Sequence, residues 1–81
     1  MKLKIAKEIL IGIKQISKHA VDGKIVLIWD DEMNLIYVGL SFVLGVKYAE
    51  KMFGNSKEII NKHFKMVNFS EVIVGEDFVI I

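Results

Sequence analysis

The segments Lys24-Ile-Val-Leu-Ile-Trp29, Asp30-Asp-Glu-Met-Asn34 and Leu35-Ile-Tyr-Val-Gly-Leu40 decide the fold. Two apolar, β-branched runs of strand length flank a short polar turn, which is the pattern of an antiparallel hairpin. Apolar side chains fill consecutive as well as alternate positions in both runs, so both faces of the hairpin should be covered. On its N-terminal side, Leu3, Ile5, Ala6, Ile9, Leu10, Ile13, Ile16 and Ala20 fall on one arc at helical spacing. That spacing predicts a helix over residues 3–20, ended by Asp22-Gly23.

On the C-terminal side, Ser41 is a candidate N-cap for a helix carrying Phe42, Val46, Ala49 and Phe53, which Gly54-Asn55 interrupts. Ser56 then caps a segment in which Ile59, Ile60, His63, Phe64 and Val67 share a face, either as a third helix or as a kinked continuation of the second. Val72-Ile-Val74, a Gly75-Glu-Asp77 turn and Phe78-Val-Ile-Ile81 read as a second hairpin whose last strand offers an open edge. The expected fold is α+β: an antiparallel sheet of about four strands in two hairpins packed against two or three helices, in the order α-β-β-α-α-β-β. Residues 1–81 leave room for a single domain.

Composition narrows the function. Eleven lysines face ten acidic residues, and arginine, proline, threonine and cysteine are absent. Near-neutral charge gives no global pull toward nucleic acid or membrane, and specific DNA readout is not expected without the guanidinium fork. The lack of cysteine excludes a disulfide framework and points to the reducing cytoplasm, and the usage as a whole fits an AT-rich, low-GC host or a mobile element. Lys14 interrupts the apolar run Ile9-Leu-Ile-Gly-Ile13 before it reaches signal-peptide length, and the charge-free stretch from Met33 to Val46 is too short to cross a bilayer. Apolar residues and glycine total 47 of the 81, above the about 45–50% of ordinary globular domains.

No constellation supports catalysis, a cofactor or a metal. Asp30, Glu32 and Asn34 alternate like the first oxygens of a calcium loop, but Leu35 stands where the turn glycine belongs and Ser41 where the bidentate glutamate belongs. A solvated turn is expected. The segment Gly39 to Lys47 places glycines between a strand and a helix in the manner of a phosphate loop, with the wrong spacing and with Leu40, Phe42, Val43 and Leu44 in the way, so these residues are expected to pack in the core. His19 and His63 have no ligand companions. Ser17, His19 and Asp22 share one helix end and cannot converge as a triad.

Ile36-Tyr-Val-Gly39 resembles the second half of the GIY-YIG nuclease signature, whose second tyrosine and helical arginine have no counterpart here. The order of elements, Val21-Asp-Gly-Lys24 entering the first strand, and Glu71-Val-Ile-Val-Gly-Glu-Asp77 in the second hairpin are similar to a roadblock-type domain. That resemblance implies a profilin-like dimer that scaffolds small GTPases or motor complexes. The family carries a further strand and helix beyond the point matched by Ile81.

The residues themselves point to a small protein-protein interaction module, a homo-oligomer, adaptor or inhibitor, that acts by surface complementarity. Two or three helices cover one face of a sheet well and hardly two, so the surplus apolar surface should meet another protein or a second copy. Candidate interface residues are Trp29, Tyr37, Phe78 and Ile80 on the strands, and Ile11 with Lys4, Lys7, Lys14 and Lys18 on the polar side of the first helix. The lysine stripe also allows an alternative, an electrostatic binder of nucleic acid or anionic membrane.

Overall fold

The computed structural model describes residues 1–19 and 23–81 and shows an α+β fold. The elements are β1 (Lys2–Lys4), α1 (Lys7–Ile16), β2 (Lys24–Trp29), β3 (Leu35–Gly39), α2 (Phe42–Phe53), α3 (Lys57–His63), β4 (Phe64–Asn68), a single 3-10 turn (Phe69–Glu71), β5 (Ile73–Val74) and β6 (Phe78–Ile80). The order expected from sequence holds, with β1 and β4 added. The strands form two antiparallel sheets, β3-β2-β4 and β1-β6-β5. The expected helix end at Ala20 and the Val21-Asp22 connection lie outside the described residues.

The central hairpin forms as its pattern demands, with Val26 opposite Gly39 and Ile28 opposite Tyr37, and β4 occupies the other side of β2. Its two faces carry different cores. Ile25, Leu27 and Trp29 join Leu3, Ile13 and Val79, while Val26 and Ile28 join Ala49 and Ile60. Each fully buried aliphatic side chain contributes about 1.5–3 kcal/mol. The sequence argument that one face stays bare is therefore corrected: α1 and the small sheet cover one side of β2, and α2 with α3 cover the other.

Two further expectations change. Leu3 belongs to a strand, with Lys2 and Lys4 exposed on either side of it and Val79 opposite, so the first helix begins only at Lys7. Ala6 is extended at φ −82°, ψ 164°, and the helix then runs with Glu8 in its first turn and Lys14 in its last, the charges its dipole favours. The C-terminal strand is not an open edge, because β1 pairs with one side of β6 and β5 with the other. The main-chain N–H of Lys4 donates to Met33 O at 2.9 Å, tying the small sheet to the turn between β2 and β3.

Helices α2 and α3 are separate. The serine caps form as expected, Ser41 Oγ accepting from Leu44 N–H at 3.1 Å and Ser56 Oγ from Ile59 N–H at 3.5 Å. Gly54, at φ 87°, takes a conformation that glycine adopts without steric cost and so ends α2. Phe64, expected on a helix face, is already extended at φ −135°, ψ 133°, and α3 passes directly into β4.

Candidate interaction surface

The polar groups of the β2–β3 turn are occupied locally. Asp30 Oδ1 accepts from the main-chain N–H of Glu32 and of Asn34, both at 2.9 Å, and Oδ2 accepts from the Asn34 side-chain amide at 3.1 Å. The main-chain bond from Asn34 is the largest cause holding the Asp30 carboxyl below its usual range. Among the described residues no group of three or more His, Asp or Glu side chains is placed to hold a metal ion.

His63 is buried at the end of α3. Its Nδ1 lies 2.8 Å from the Trp29 carbonyl oxygen and its Nε2 3.2 Å from Asp31 Oδ1, and its ring stacks on Phe53 at 4.2 Å. Facing a carbonyl, Nδ1 carries the hydrogen and donates. The imidazole thereby fastens the α3–β4 junction to the end of β2.

The candidate interface residues do not share one surface. Trp29 is buried in the core and presents no face to a partner. Tyr37 is half-buried and stacks on Tyr48, centroids 4.7 Å apart, across the face of β3. Phe78 is half-buried beneath Lys2 Nζ, 4.7 Å above its ring, and Ile80 is exposed on the small sheet. The lysine stripe is shorter than expected, since Lys4 stands on β1 and Lys18 beyond the end of α1. Lys7, Ile11 and Lys14 remain exposed on one face of α1.

A surface that sequence reasoning assigned to the core is instead open. Leu40, Phe42, Val43 and Leu44 are 39%, 53%, 61% and 59% exposed. The signal was present, because three consecutive apolar residues at 100° each span about 200° of a helix and cannot all face one core. Gly45 and Ala49 take the buried side, which leaves Val43 and Leu44 outside with Lys47 and Lys51 following on that side of the helix. Phe42 turns toward β4 and meets the ring of Phe64 edge-on, centroids 5.6 Å apart. Beside this contact, Phe42, Val46, Ile60 and Phe64 line a groove of about 440 Å³ between α2 and α3, rimmed by Glu50 and Lys57.

Among the described residues no helix is long and apolar enough to cross a membrane. No family model, no curated protein and no solved structure matches this chain.

Proposed function

We propose that this chain is a protein-protein interaction module of the cytoplasm that works by surface complementarity, with the start of α2 as its working surface. The observation that carries this reading is the exposure of Leu40, Phe42, Val43 and Leu44 around the start of α2. Large contiguous apolar patches rimmed by polar residues mark interaction sites on small domains. Lys47 and Lys51, exposed on the same helix, favour a protein surface with an apolar centre and carboxylates at its border.

The test is gel filtration with light scattering from about 1 to 100 μM, together with binding of a hydrophobic dye, a range that brackets the affinity of typical transient associations. The native chain is expected to exceed its 9.2 kDa monomer mass or to bind the dye saturably, and the double variant Val43→Glu, Leu44→Glu to lose whichever signal depends on α2. A sharp monomer peak throughout, with no dye bound, overturns the reading.

A further inference from the structure

We infer that the partner at one further surface is a second copy of this chain, joined edge to edge through β4 about a two-fold axis at Met66. This rests on the reading of the chain as an interaction module and adds to it the β4 edge, which shares only Phe42 with the exposed residues at the start of α2. β4 ends the β3-β2-β4 sheet, so one of its sides carries main-chain groups that no strand among the described residues pairs.

The ladder shows which groups those are. The Phe69 N–H donates to the Gly23 carbonyl, directly beyond the Lys24–Asn68 pair of the β2–β4 register. Bonded pairs alternate in an antiparallel ladder, so Ile25–Val67 and Leu27–Lys65 are bonded and Lys24–Asn68, Val26–Met66 and Ile28–Phe64 are not. The main-chain groups of Phe64, Met66 and Asn68 therefore face away from β2. In an antiparallel arrangement centred on Met66, its N–H and C=O meet the C=O and N–H of Met66 in the second copy. The Asn68 N–H of each copy meets the Phe64 carbonyl of the other. The edge is its own complement.

Side chains disfavour the neighbouring register on the Lys65 side. Centring on Met66 sets Lys65 opposite Val67 of the second copy, whereas centring one residue earlier would set lysine against lysine. Met66 points to the same side of the sheet as Phe64, whose ring meets Phe42, and Met66 and Phe42 are both exposed. Two copies bring both methionines together on the axis, on the side of the sheet that carries Phe64. A stable dimer needs about 800 Å² from each partner, roughly 15% of the 5362 Å² surface of one chain.

Sedimentation equilibrium with amide exchange tests this. The native chain is expected at twice 9.2 kDa, with the Met66 and Asn68 amides slowed at least about tenfold between dilute and concentrated samples. Met66→Pro deletes an N–H that β2 does not use, and Met66→Lys sets two charges against each other on the axis. Both are expected at 9.2 kDa with native circular dichroism. A native monomer at about 100 μM overturns the dimer, and it leaves the module reading to the α2 variants. A dimer that survives both substitutions, or one whose Met66 and Asn68 amides exchange freely, overturns the β4 mode while association itself stands. Protection of those amides only by a different chain overturns the second copy as occupant.

Discussion

Gly45 on α2 lies so close to Val26 on β2 that a Cβ at Gly45 would stand 2.7 Å from Val26 Cγ1. Val26 is fully buried and cannot swing away. Gly45→Ala gains about 1 kcal/mol of helix propensity but overpacks a contact that costs about 1–3 kcal/mol to crowd. Net destabilisation is expected. Gly12→Ala on α1 is the counterpart, because nothing lies within 4 Å of the added methyl. It should stabilise by roughly 0.5–1 kcal/mol. Urea midpoints of the two variants should move in opposite directions.

The same close packing explains what the sequence discloses of the fold. The β2–β3 hairpin and α2 carry long periodic patterns and clear punctuation at Asn34, Ser41 and Gly54, and all were legible. β1 and β4 were not. Lys2-Leu-Lys4 is too short to distinguish a strand from a helix, since Leu3 joins the apolar arc of α1 in either geometry. Phe64 and Val67 continue the helical spacing of Ile60 and His63, and no glycine or proline separates α3 from β4. What makes residues 64–68 a strand is the distant edge of β2, a non-local partner that local periodicity does not contain. One edge of the β3-β2-β4 sheet is therefore β4, while β6 is paired on both sides. Of the candidate interface residues, Ile11 and Ile80 are exposed, whereas the residues at the start of α2, expected in the core, are exposed as well.

His63 is expected to matter more for stability than Asp31, which lies 3.2 Å from its Nε2. His63→Ala removes the stacking on Phe53 and leaves the Trp29 carbonyl without this donor. An unsatisfied buried acceptor costs about 1–3 kcal/mol. Asp31→Asn alters a side chain that is 92% exposed, where ion pairs contribute about 0–1 kcal/mol. Denaturant titrations at neutral pH should separate the two by their midpoints; equal losses would show that the pair with Asp31 carries the stability instead of the buried contacts.

Asp30 makes part of the stability depend on pH. Its carboxyl is lowered from the ordinary value first by the Asn34 main-chain bond, with burial opposing and the Asn34 amide and Glu32 N–H assisting. Because the folded value lies below the unfolded one, the carboxylate stabilises the fold fully above the ordinary carboxylate range, and that contribution disappears as pH falls through the depressed folded value. Asp30→Asn keeps an acceptor at Oδ1 but cannot be protonated in this range. The native chain should therefore lose more stability than the variant between about pH 5 and pH 2, as read from urea midpoints. Parallel curves would contradict the assignment.

Two isoleucines on α1 test how far its polar face is only a solvated surface. Ile11 is 57% exposed between Lys7 and Lys14, while Ile13, two residues on, is 1% exposed against Leu3, Ile25 and Val79. A lysine at position 11 keeps its ammonium in water, and surface changes of this kind stay within about 0.5 kcal/mol. At position 13 the same ammonium would enter an apolar core with no partner, and the stem cannot snorkel out from the centre of the buried face. Ile13→Lys is therefore expected to cost several kcal/mol and to abolish the cooperative melt at ambient temperature. Far-ultraviolet circular dichroism melts of both variants decide the matter. If Ile11→Lys leaves the melt native but shifts the association measured by light scattering, the Lys7–Ile11–Lys14 face takes part in an interface, because a solvated surface would change neither.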